Sequence, residues 1–364
     1  MGGDGVMVEL KDLCKKASSN IAQKDLDGHT GEYPIYGASG LIGYVDFYKQ
    51  EKPYIAVVKD GAGIGRVMSL PAKSSVIGTM QYILPNDDVD AQYLSFAMEN
   101  MNLAKYFSGA TIPHIYFKDY CTEKLPKHSE KEQKQISAVL SKVTELISLR
   151  KKQLAKLDEL VKARFVEMFG DPVKNTMDWE IKPLSELGEL NRGVSKARPR
   201  NSPELLGGPY PLIQTGEVAN AKTYITSFNS TYSEKGLAQS KMWPKGTLCI
   251  TIAANIAQTS ILTFDACFPD SVVGFISRNM TNELFIHYWF SFFQKILDEQ
   301  APQVAQKNIN LKILSELNVI VPPLSLQNRF AAFVEYVDQQ KQTVQQSLEK
   351  LELMKKALMQ EYFG

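Results

Sequence analysis

The sequence predicts an α+β protein with an internal twofold repeat: two mixed α/β domains in tandem, each followed by a long helix with an apolar seam. Three observations predict it. Gln133 to Gly170 aligns without a gap on Gln327 to Gly364, and the pairs Ala138/Ala332, Val143/Val337, Leu154/Leu348, Leu157/Leu351, Ala163/Ala357, Glu167/Glu361, Phe169/Phe363 and Gly170/Gly364 are identical. Within each copy the apolar residues recur every three or four positions, the spacing of a helix seam. A weaker, similarly ordered set of features precedes each copy, so the duplication extends over the whole chain. Two copies make a pseudo-symmetric pair and not a solenoid, which needs three or more units.

The helices follow most directly. The first seam runs through Ile136, Leu140, Val143, Ile147, Leu154, Leu157, Val161 and Met168; the second through Phe330, Val334, Val337, Val344, Leu348, Leu351, Leu358 and Tyr362. Arg150 and Arg164 interrupt one seam, and Lys341 and Lys355 the other. The two pairs read as equivalent interruptions, of the kind that specify alignment more than stability. Ser129-Glu130-Lys131-Glu132 has the form of a capping box, and Gly170 before Asp171-Pro172 is a stop signal. A helix of about 38 residues spans roughly 57 Å, far longer than one small domain can cover, so each seam needs a partner and the other copy is the obvious one.

Ahead of the helices, Leu10 to Leu13 matches Leu184 to Leu187, Tyr33-Pro34-Ile35 matches Tyr210-Pro211-Leu212, and Ser75 to Gly78 matches Ser271 to Gly274. In the first domain Tyr54 to Val58 and Val76 to Ile83 are strand-like and Gln92 to Phe107 helical. In the second, Thr247 to Ala253, Ser260 to Phe264 and Val272 to Ser277 are strand-like and Glu283 to Leu297 helical. Asp60 to Gly65 looks superficially like a dinucleotide loop, but the strand-like Arg66 to Leu70 follows where a phosphate-binding helix should begin, so it reads as a tight hairpin turn. The expected divisions are a domain over 1–126, a helix over 127–170, a domain over 171–323 and a helix over 324–364.

With 364 residues, 44% apolar and 22% charged, the chain can bury two or three ordinary cores. No run approaches the roughly 18 apolar residues of a membrane span and the N-terminus lacks a signal-peptide pattern, so the expected address is the cytoplasm with no membrane contact. Cys14, Cys121, Cys249 and Cys267 form no Cys-x-x-Cys pair and read as reduced thiols. The four histidines, His29, His114, His128 and His287, lack metal-ligand spacing. Phosphate-loop, zinc-protease and nucleophile-elbow motifs are all missing, and Asp265 with Asp270 makes an unconvincing nuclease pair. Neither a catalytic residue nor a metal or cofactor of the chain's own is therefore expected.

The net charge of +1 resists a nucleic-acid reading, but its distribution answers in part. Arg192, Lys196, Arg198 and Arg200 form a basic run without an acid among them, and Lys127 to Arg164 holds ten Lys and Arg against five Asp and Glu. Thr111 to Lys118 and Val304 to Leu311 each precede the last strand of their domain and carry side chains suited to base edges and phosphates. The candidate DNA contacts are Lys59, Arg66, Thr111, His114, Tyr116 and Lys118 in the first domain. In the second they are the basic run with Gln214, Thr215, Gln258, Lys307, Asn308 and Asn310. Asn and Gln suit adenine, and Arg suits guanine.

These features together resemble the specificity subunits of type I restriction-modification systems. The resemblance covers essentially the whole chain and rests on Pro126 to Gln133 opening the first helix with Glu132-Gln133, Pro322-Pro323-Leu324 with Gln327 at the second, and Met168-Phe-Gly-Asp-Pro172 leading to Trp179 and Leu184 to Leu187. The second helix has Leu326-Gln327 where the family often has Glu-Gln. The resemblance implies two target recognition domains, each reading half of a bipartite double-stranded DNA site, separated by an antiparallel coiled-coil pair of the two helices. It also implies docking of two modification (methyltransferase) subunits that bring S-adenosylmethionine, and of restriction subunits that add ATP- and Mg-dependent translocation and cleavage. The rival expectations are a fused nuclease or methyltransferase relative, and a coiled-coil interaction scaffold.

Overall fold

A computed structural model describes residues 6–61, 63–108, 113–253, 256–292 and 309–364. The chain forms two compact units, one of residues 1–153 with 344–364 and the other of residues 154–343. Both long helices, Glu130–Phe169 and Leu324–Phe363, therefore contribute one half to each unit.

In the first unit a four-stranded antiparallel sheet has the order Cys14–Ser18, Met80–Pro85, Tyr54–Val58, Val67–Leu70. All five residues of Tyr54–Val58 are buried, which its unbroken apolar run dictates. The pleat sends Ile55 and Val57 to one face and Tyr54, Ala56 and Val58 to the other, so the sheet separates two cores. The first core takes in the helix Ala91–Asn100 together with Ile136, Leu140, Met359 and Phe363 of the long helices. The second lies against a small sheet in which Tyr33–Gly37 pairs antiparallel with Gly40–Val45 and parallel with Ser75–Val76.

The second unit repeats this plan. Its sheet runs Gly188–Arg192, Val272–Ser277, Leu248–Thr251, Thr259–Leu262, with the short Tyr224–Ile225 added at the edge. Leu248 and Ile250 face a core with the helix Glu283–Phe290 and with Val161, Phe165, Phe169, Phe330, Val334 and Val337 of the long helices. Cys249 faces Trp243 and Phe268 on the opposite side.

Inside each unit the two helix halves lie antiparallel. In the first, Ile136 and Leu140 share a core with Met359 and Phe363, while Arg150 Nε donates to Ser347 Oγ at 3.2 Å and Lys151 pairs with Glu352 at 2.9 Å. In the second, Phe165 and Phe169 pack on Phe330 and Asp158 pairs with Lys341 at 2.8 Å. Of the predicted seam residues, Ile136, Leu140, Val143, Val161, Phe330, Val334, Val337, Val344 and Leu348 are buried, whereas Ile147, Leu154, Leu157, Met168, Leu351, Leu358 and Tyr362 are partly exposed.

The helix ends obey local rules. Ser129 N donates to Glu132 Oε2 at 2.9 Å and Glu132 N to Ser129 Oγ at 3.4 Å, the reciprocal bonds of a capping box. Gly170 takes the left-handed conformation, φ 76°, and donates its N–H to Val166 O. A further device recurs at both starts and explains the repeated glutamine. Gln133 is buried, accepts from Asp90 N at 2.8 Å and donates to His128 O and Asp88 O. Gln327 is buried, accepts from Thr281 Oγ1 and Asn282 N, and donates to Met280 O and Pro322 O. Asp90 and Asn282 are the N-caps of the two domain helices, so each glutamine ties a long helix to its domain's helix. Gln327→Ala strands these buried groups and is expected to cost about 1–3 kcal/mol; a chemical-denaturation midpoint unchanged from wild type would remove the clamp from consideration.

Several expectations need correction. The run Val76 to Ile83 is two strands, Ser75–Val76 and Met80–Pro85, because the chain turns at Gly78, whose N–H bonds to Ile21 O. The helix expected over Gln92 to Phe107 ends at Asn100; Asn102 adopts a left-handed conformation, φ 50°, and a 3₁₀ turn follows over Leu103–Tyr106. The match of Ser75 to Ser271 is out of register: Ile35 pairs with Ser75 and its counterpart Leu212 with Cys267, so Cys267 is the true equivalent. Finally, the seam interruptions are not equivalents, since the gap-free alignment puts Lys341 on Ile147 and Lys355 on Val161. The strands at Thr247 to Ala253 and Ser260 to Phe264 shorten to Leu248–Thr251 and Thr259–Leu262, and the expected helix beyond Phe292 lies outside the described residues.

Candidate nucleic-acid interface

In the first unit two segments converge. The turn expected at Asp60 to Gly65 is a hairpin connection, closed by Val58 N to Arg66 O and Gly65 N to Val58 O, with Ala62 outside the described residues. Gly65 is required twice over: its φ is +80°, and a Cβ there would overlap the backbone at Leu103 and Ala104. The second segment, Pro113 to Lys118, docks through Gly61 N to Pro113 O and Ile115 N to Lys59 O. Asp60 thereby becomes a hub, with His114 Nδ1 donating to Oδ1 at 2.6 Å and Lys59 Nζ to Oδ2. Burial alone would raise the Asp60 carboxyl, but the bonds from Lys59 and His114 outweigh it and hold it below its ordinary value. The Tyr116 ring lies 6.4 Å from His114 at a shallow angle and 5.5 Å from Lys118 Nζ, and Tyr116 is 52% exposed. Lys59, His114, Tyr116 and Lys118 thus form one patch, an exposed aromatic platform beside cations, suited to stacking and phosphate contact. Arg66 is also exposed, its Nη1 donating to Ala38 O at 2.7 Å. Thr111 lies outside the described residues.

In the second unit the basic run leaves the strand Gly188–Arg192 and meets the turn before Val272–Ser277. Arg192 Nε donates to Asp270 O at 2.9 Å, Arg200 Nη2 to Asp270 Oδ1 at 2.6 Å, and Arg198 Nη2 stands 3.8 Å from Asp270 Oδ2. Lys196 is exposed and is held through its backbone N–H on Gln239 O. Arg200 borders a cavity of about 310 Å³ that Gln214 and Thr215 also line, with Ser195, Asn201 and Ser271. Gln258 is elsewhere, on a cavity of about 550 Å³ beside His287 and Lys341. Asn310 caps the helix Leu311–Glu316, its Oδ1 accepting from Ile313 N at 3.0 Å, and Lys307 and Asn308 lie outside the described residues. Sequence reasoning missed Asp270 as the arginines' partner and Ser195 as part of the cavity, because both depend on contacts between distant segments. Asp265 accepts from Lys245 N, and no group of three or more metal-ligating side chains occurs among the described residues.

Comparison with known proteins decides the family. The model of the type I restriction modification DNA specificity domain matches residues 3–159 and again 176–353. The chain belongs to that family. It is thus a DNA-recognition component, not an enzyme, and its two matched segments coincide with the duplication. The candidate specificity subunit of type I restriction enzyme MjaX from Methanocaldococcus jannaschii is 22% identical over an alignment of 392 positions, covering 96% of this chain and 91% of the relative. Among solved structures, the S subunit of a type I restriction-modification system from M. genitalium superposes with a TM-score of 0.66 at 16% identity, covering 99% of this chain and 96% of that one. A chain from a study of assembly and conformational transition of the type I system superposes with a TM-score of 0.57 at 15% identity, covering 100% and 98%. At these identities the likeness establishes the fold, two tandem domains with long helices. No described helix is long and apolar enough to cross a membrane.

Proposed function

We propose that each domain of this specificity subunit reads one half of a bipartite double-stranded DNA site, and that the paired helices set the gap and dock two methyltransferase subunits in the cytoplasm. The supporting observation is that one strand order is used twice while the exposed side chains differ: a His114–Tyr116–Lys118 platform in one unit, an arginine cluster around Asp270 in the other. Like scaffolds with unlike surfaces suit unlike half-sites. The near-neutral charge fits a chain whose grip on DNA is shared with partner subunits. Those partners would supply S-adenosylmethionine, and restriction subunits ATP and Mg. The domain divisions 1–126, 127–170, 171–323 and 324–364 belong to the same proposal.

Methylation mapping in cells carrying the gene with its neighbours tests the reading; two constant half-sites around a fixed gap are expected. A scaffold would yield no enriched sequence. The ruler role has its own test. Deleting Ile147 to Gln153 together with Gln346 to Glu352 removes both members of the Arg150–Ser347 and Lys151–Glu352 contacts. A heptad is about 10 Å of helix, or about three base pairs, and the preferred gap is expected to shift accordingly. An unaltered gap rejects the ruler.

A further inference from the structure

Asp270 holds an unusual position: one carboxylate serving a run of arginines beside a polar cavity. The turn that carries it is rigid, with Val272 N bonded to Pro269 O, Gly193 N to Val272 O and Val194 N to Phe268 O. Gly193 allows that close approach, since a Cβ there would overlap the carbonyls of Phe268 and Pro269. The neighbours of Asp270, Pro269 and Ser271, both line the 310 Å³ cavity. Inside, Ser195 is 6% exposed and its hydroxyl has no hydrogen-bond partner among the described residues. A buried polar group left open beside a cavity marks a place completed by something else. The volume is at the small end of ligand sites, enough for a nucleobase edge and too small for a folded segment.

The three arginines depend on Asp270 to different degrees. Arg192 bonds to its backbone carbonyl, which any side chain at 270 would preserve. Arg198 is also anchored by Nη1 on Ser195 O and Ala197 O, both at 2.7 Å. For Arg200, the Asp270 carboxylate is the hydrogen-bond partner found among the described residues, engaging Nη2. The guanidinium has five N–H donors, so others remain for a second acceptor. Arg recognises the O6/N7 edge of guanine, whereas an untethered guanidinium on an exposed rim binds any phosphate.

We propose that Asp270 is a positioning residue that fixes Arg200 at the rim of the Ser195–Gln214 cavity to read a base edge in the major groove, and withholds it from indiscriminate phosphate contact. This rests on the proposed DNA-reading role of the second domain. The carboxylate thus trades overall grip for discrimination.

The test uses the full chain with two probes, a random-sequence duplex pool and the duplex selected from it by the wild type. Asp270→Asn is expected to raise affinity for the random pool several-fold, steepen its dependence on salt by about one counterion, and lower the preference for the selected duplex about tenfold. Asp270→Glu restores the preference. Arg200→Lys keeps the charge and lies on the exposed rim, so it tests the same contact without threatening the fold; loss of preference for the selected duplex is expected. Preference within twofold of wild type in Asp270→Asn, or in Arg200→Lys, overturns the proposal. If Arg200→Ala weakens selected binding while Asp270→Asn changes nothing, only the positioning role falls. Unchanged binding of both probes in Arg200→Ala and Gln214→Ala together would remove this cavity from DNA reading altogether.

Discussion

Replacing Phe330 by alanine is expected to destabilise the second unit by about 3–5 kcal/mol, the cost of emptying a buried aromatic site. Phe330 has no exposed surface, and its ring meets those of Phe165, Phe169 and Tyr288 at centroid distances of 5.4 to 5.5 Å, all edge to face. Phe285 closes the group, 4.9 Å from Phe169 and 5.5 Å from Phe165. Three helices meet there: both long ones and Glu283–Phe290. The truncation therefore loosens a joint and not merely a side chain. Trp179, Trp243 and Trp289 all fall in the second unit, so tryptophan fluorescence during denaturation reports on it selectively. A loss below 1 kcal/mol would show that the ring cluster fills space without holding the helices.

Stability of the same unit is expected to fall on mild acidification, through His287. Burial, reinforced by the charge of Lys341, pushes its pKa from the usual 6.5 down to about 4. Its Nδ1 is 2.9 Å from Thr259 Oγ1. Between those two values the unfolded chain takes up a proton that the folded chain refuses. The contribution is therefore complete above pH 6.5, declines as pH falls through the window, and is gone near 4. Its full size is about 3 kcal/mol, set by the distance between those two values. Denaturation midpoints of wild type and His287→Gln across that range provide the check: the glutamine variant should respond less steeply, and parallel curves would exonerate the imidazole.

Much of the architecture was legible because it depends on short-range rules. The spacing from Ile136 to Leu157, the Ser129–Glu132 box and Gly170 all specify local backbone, and the structure has them as expected. The continuous apolar strand Tyr54–Val58 was equally plain. What sequence could not convey is which distant residue answers a charge. Lys341 is 13% exposed on its side chain and sits between Asp158 and Asp338. Burial lowers its pKa, yet the bond to Asp158 and the fields of Tyr288 and both aspartates leave it raised. From the seam alone it was only an interruption, matched to Arg150; its partner on the other helix, 2.8 Å away, gives it a distinct task. Likewise the glutamines at 133 and 327 looked like motif letters and turned out to be clamps. At the candidate interface the basic run was visible, but its gathering by Asp270 depends on a turn some 70 positions away.

The division of the long helices between units has a consequence for biogenesis. The core that holds Leu10, Tyr93 and Ile136 also holds Met359 and Phe363. A ribosome must therefore deliver the whole of the second unit before the first can be sealed, and until then the nascent domain presents an open apolar flank to chaperones.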